Sequence, residues 1–84
     1  MSIADLSASI STNVDAAEQL ITAIGTSQDQ AKRLHDQLMT LSAESVAAQV
    51  NLCAEELEKA IGQVQGLKTQ LEQARTQAEA AKTA

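Results

Sequence analysis

VAAQVNLCAEELEKAIGQVQGLKTQLEQARTQAEAA, residues 46–81, is the stretch whose spacing decides the fold. Small and apolar side chains recur in alternating steps of four and three, at Val46, Val50, Cys53, Leu57, Ala60, Val64, Leu67, Leu71, Ala74, Ala78 and Ala81. Val50, Leu57, Val64, Leu71 and Ala78 take heptad position a; Val46, Cys53, Ala60, Leu67, Ala74 and Ala81 take d. A seam that keeps this period over five repeats means a helix packed on another helix. It names no reaction.

Upstream, a second heptad runs from Ile3. Ile3, Ile10, Ala17, Ile24, Ala31 and Leu38 fall at a, and Leu6, Asn13, Leu20, Ser27, Leu34 and Leu41 at d. Val14 and Ile21 sit at the flanking e position and widen the stripe over Ile10–Ile24 beyond what a two-helix seam needs. Ser2, with Asp5 three residues on, supplies an N-cap and a first-turn acid for the start of this helix. Gly25-Thr26-Ser27 is its softest point, and Ser27-x-x-Gln30 offers a cap for a new helix there. The register of Ile3 nevertheless continues through Ala31, Leu34, Leu38 and Leu41, which predicts one continuous helix.

The phase is lost after Leu41. Continuing the first heptad would put Ser45 and Ala48 in the seam, whereas the second starts at Val46 and Val50. Ser42 is the expected N-cap of the second helix, with Glu44 in its first turn. A short connection between long helices makes them antiparallel neighbours. The expected architecture is all-α: one domain over residues 1–84, an antiparallel, coiled-coil-like hairpin with helices at about 3–41 and 46–81 and a bend at about 42–45. It is expected to complete a four-helix bundle by dimerisation. The expected intra-hairpin seam is Leu34, Leu38, Leu41, Val46, Val50, Cys53, Leu57, Val64, Leu67 and Leu71. Ile10, Val14, Ala17, Ile21 and Ile24 form the expected second contact surface. Folding back at Ala43–Glu44 also brings Gly25 level with Gly62, where the rod would bend most easily.

Composition narrows the classes of function. The 84 residues include 16 alanines and ten glutamines but no proline and no aromatic residue, a helical composition with little to fill a thick core. This thinness predicts a partner, either a second copy or another helical protein. The net charge of −5 is spread over both halves, with no basic face and no aromatic to stack on a base, so nucleic acid is not expected as a partner. No apolar run approaches the length of a membrane span, and no basic border flanks the amphipathic faces, so no membrane role is expected. Asp5 lies where a secretory leader carries bases, so the chain is expected in the cytoplasm or exported without a cleaved leader. Met1 and a seam that holds only alanine after Leu71 are expected to mark a whole small protein, with an excerpt of a longer coiled coil as the alternative.

Chemistry-bearing residues are few and scattered. His35, the only histidine, has Asp36 beside it but no second ligand at metal-binding spacing. Cys53, the only cysteine, reads as a small apolar side chain buried at d. Glu55, Glu56 and Glu58 point in different directions around a helix. Gly62-x-x-x-Gly66 has the spacing of a close-packing motif but polar flanks. Asn13, at d, is a candidate for fixing register. With no nucleophile, base and oxyanion donor at usable spacing, no catalytic residue, metal, cofactor or small-molecule substrate is expected.

In length and central bend the chain resembles the Trp-x-Gly family, the small helical hairpins exported by type VII secretion systems. It is also similar to uncharacterised small helical proteins of actinobacteria. Ser42-Ala43-Glu44-Ser45 stands at the bend in place of Trp-x-Gly, and Arg75-Thr76-Gln77-Ala78-Glu79 lacks the tyrosine of the family's Tyr-x-x-x-Asp/Glu signal. The resemblance is architectural and implies frequent dimerisation, with pairing to a secreted or toxin protein as a chaperone-like or targeting partner. From the residues themselves the expected function is non-enzymatic helix–helix interaction.

Overall fold

A computed structural model describes residues 1–83. Two helices of 38 residues each, α1 (Ile3–Thr40) and α2 (Glu44–Ala81), pack along their length into a rod of 64 × 14 × 13 Å. Every described residue outside them belongs to a terminus or to the turn. α1 runs unbroken across Gly25-Thr26-Ser27, as the continuous register requires.

Its start is fixed by a reciprocal cap. The Asp5 backbone N–H donates to Ser2 Oγ at 3.1 Å, and the Ser2 backbone N–H donates to Asp5 Oδ2 at 3.1 Å. Two of the otherwise orphaned donors at the helix entrance are thereby satisfied.

The turn is built differently from the sequence-based expectation. Ser42 does not cap α2; it closes α1 in the left-handed region, at φ 59°. Its N–H donates to Met39 O at 3.0 Å, and the Ala43 N–H reaches back to Leu38 O at 2.9 Å. These are the paired bonds that close a helix whose following residue turns left-handed, a place glycine usually fills. Ala43 then stands at the N-cap of α2, without a side-chain cap bond.

The seam between the helices is the main departure. On α1 the half-buried and buried positions include Ser7, Ile10, Val14, Ala17, Ile21, Ile24, Gln28, Ala31, His35 and Leu38. On α2 they include Ala47, Val50, Ala54, Leu57, Ile61, Val64, Lys68, Leu71, Arg75 and Ala78. In both arms these are positions a and e rather than a and d; the remaining half-buried helical residues are Ser11, Gly25 and Glu72 at b and Ala60 at d. Ile10, Val14, Ala17, Ile21 and Ile24 therefore face α2 rather than a second partner, with Val14 only 5% exposed. Conversely, Leu34, Leu41, Val46, Cys53 and Leu67 lie outside the seam and are exposed. Leu38, Val50, Leu57, Val64 and Leu71, at a, are half-buried in it.

The most deeply covered positions of the seam are small. Ala17, Ala47, Ala54 and Ala78 are four of the five buried apolar residues, and Ala47 is fully covered. On α2 the e row brings Ala47, Ala54 and Ile61 into the contact, while Val46, Cys53 and Leu67 of the d row, which also holds Ala60, Ala74 and Ala81, stay exposed. The larger d residues are left beside the contact line.

Candidate interaction surface

The a/e seam divides the rod into two unlike sides. On one, position b of each helix faces across to position e of the other, and the contacts are polar. The Ser7 hydroxyl donates to Glu79 Oε1. Arg75 donates to Ser11 Oγ at 3.3 Å, and Lys68 Nζ lies 2.9 Å from Glu18 Oε1. The Ser7 bond, reinforced by Lys82, holds the Glu79 carboxyl below its ordinary range. The Glu18 carboxylate, by hydrogen bond and then by charge, raises Lys68. Lys68 and Arg75, charged residues within the seam, reach out to this side for their partners. Each acts as an amphipathic arm, its stem on the apolar line and its head in the polar row.

The other side has no such ladder. There the d rows of both arms come together, because in an antiparallel pair like positions flank the same edge. Leu20 and Leu67 face each other across a groove of about 340 Å³ whose floor is Ala17, Val64 and Leu71 and whose rim includes Asn13 and Ala16. Along the rod the same face carries Leu6, Leu34, Leu41, Val46 and Cys53, all exposed. Leu41, at the turn, is 76% exposed and Leu67, near the middle, 50%. A row of large apolar side chains this long is more than the scattered exposed leucines of an ordinary surface.

Charge is segregated in the same sense. Positions d and g, which together make this face, hold one charged residue, Glu56, in 22 positions, and its carboxylate is already paired with Lys59 at 3.1 Å. Positions b and f, on the opposite side, hold ten of the 17 charged residues. The g row consists mainly of glutamine and alanine: Ala16, Ala23, Gln30 and Gln37 on α1, and Gln49, Gln63, Gln70 and Gln77 on α2. Uncharged side chains flanking an apolar row are compatible with removal from water, since no ionised group has to be desolvated.

Other singled-out residues gather into no site. His35 Nδ1 lies 3.2 Å from Asp36 Oδ1, its neighbour in sequence, at the edge of the seam. Among the described residues, no three His, Cys, Asp or Glu side chains converge as a metal cluster, and no helix is long and apolar enough to cross a membrane. Leu6 and Leu20, which the heptad places in a seam, are exposed, as are Met39 at b and Leu52 at c outside it. The signal that finds the first two is the near-absence of charge at d and g, which marks the side of the rod not designed for water. No protein family, curated protein or solved structure matches this chain.

Proposed function

We propose that the chain is a non-enzymatic helical interaction module that works by closing its uncharged d/g face against other helices. One observation carries the reading: the hairpin closes along its a and e rows and leaves Leu20, Leu34, Leu41, Val46 and Leu67 uncovered. Those residues continue the heptad of each arm, so the geometry they offer is that of a helix–helix contact, with the four-helix arrangement as its natural completion. The polar ladder on the opposite side keeps the second face in water.

Sedimentation equilibrium tests this. Leu20→Glu with Leu67→Glu is expected to abolish association while helix content by circular dichroism is largely kept. The same two charges on the opposite side, as Thr22→Glu with Thr69→Glu, are expected to leave association in place. Association that ignores the leucine variants and responds to the threonine ones assigns the contact to the wrong face.

A further inference from the structure

We propose that the occupant of the uncharged face is a second copy of this chain, seated end for end, so that the turn of one hairpin lies over the open end of the other. The inference rests on the interaction-module reading and adds the partner and its orientation.

The size of the face fits. A surface 64 Å long and 14 Å wide offers about 900 Å² per copy, about 1,800 Å² in all, within the range of stable protein–protein interfaces. A second copy also brings no charge to the contact, because its own matching face has none beyond the paired Glu56. A strongly charged partner would lose hydration with nothing to receive it.

Orientation follows from the order of side chains along the face. From the turn outward, the d layers are Leu41 with Val46, then Leu34 with Cys53, then a lean layer of Ser27 with Ala60. Leu20 with Leu67 comes next, and Asn13 with Ala74 is lean again. Seated end for end, α1 lies antiparallel to its copy, and α2 likewise. The inner bulky layers then meet lean ones, Leu20 and Leu67 settling over Ser27 and Ala60 and Leu34 and Cys53 over Asn13 and Ala74, while Leu41 and Val46 meet the outermost layer, Leu6 with Ala81. Turn over turn, four leucines would crowd one layer while two asparagines and two alanines left another hollow. Proteins pack to nearly uniform density, and both crowding and voids are penalised. End for end, Asn13 also lies between the Gln30 and Gln37 rows of the partner, whose amides can satisfy it.

Spin labels on Cys53 read the orientation. One heptad rises about 10.5 Å, and Cys53 of the two copies stands three heptads apart in the end-for-end dimer, giving about 30 Å between labels. Turn over turn puts them in one layer, about 15 Å apart. As a second readout, Ala74→Cys is expected to give an interchain disulfide with Cys53 under oxidised glutathione. The two positions are 21 residues apart on one helix, so that bond forms only between copies. The expected result is a dimer in sedimentation, the long distance and the cross-link, with association weakened at least a hundredfold by Leu20→Glu with Leu67→Glu. A short distance overturns the orientation and leaves the face as the contact. A monomeric chain overturns self-pairing and leaves the face to a different helix. A dimer indifferent to the glutamates overturns the face reading itself.

Discussion

Ser42 carries the one non-glycine residue with positive φ in the described chain, at 59°. A side chain in that region brings Cβ against the neighbouring carbonyl, at about 1–2 kcal/mol, and glycine removes the clash while losing more freedom on folding. The balance favours glycine, since the Ser42 N–H bond to Met39 O is a backbone contact that the substitution leaves intact. Ser42→Gly is expected to stabilise the hairpin by about 0.5–1 kcal/mol, read as a Tm rise of about 3–6 °C at fixed protein concentration. A lower Tm would mean that the serine hydroxyl holds the turn in some way its backbone does not. Position 42 reads in sequence as an N-cap because serine favours helix starts. It serves a helix end because Glu44 and Ser45 already continue α2, leaving Leu41–Ala43 alone to reverse the chain.

At the scale of the helices, the hairpin is legible and its seam is not. Loss of phase between Leu41 and Val46 demands a break, and a break between two long amphipathic stretches folds them together. Which stripe meets which is a different matter. Steps of three and four fit a with d and a with e equally well, and in α2 the d row is wholly apolar while the e row contains Lys68 and Arg75. Apolar counting therefore selects d. What apolar counting on α2 does not register is that α1 carries Val14 and Ile21 at e, and that Glu18 and Ser11 of α1 give the two cations cross-helix partners. The glycines belong to this scale as well. A Cβ added at Gly25, Gly62 or Gly66 would meet nothing within 4 Å. Gly25→Ala with Gly62→Ala is expected to add about 0.5–1 kcal/mol per site and to slow amide exchange around both positions. Exchange left unchanged there would dispose of a bending point at that height.

For the whole molecule, two ways of using alanine and leucine compete. Had the leucines of the d rows closed on each other, the rod would show water a mixed surface with no preferred side. Because the a and e rows close instead, the d-row leucines and most of the charges are sorted onto opposite sides, and the rod acquires an uncharged face and a charged one. A two-helix chain with no aromatic side chain has little core of its own, and on the proposed reading covering the uncharged face would give it a fuller one. Association is then expected to add stability to a hairpin that is already folded, read as a Tm that climbs with protein concentration.

The assignment of the seam decides everything above, and two neighbouring residues test it. In a Cys53→Ala background, Asn13→Cys and Val14→Cys place a single thiol on adjacent positions, one on the open face and one against α2. Thiol-reagent kinetics, at dilution that keeps the chain monomeric and normalised to the unfolded chain, read which side is covered. The expected result is a rate near the unfolded value at position 13 and one slowed at least about tenfold at position 14. A protected thiol at 13 beside a freely reacting one at 14 would put the leucine rows inside the hairpin and contradict the account.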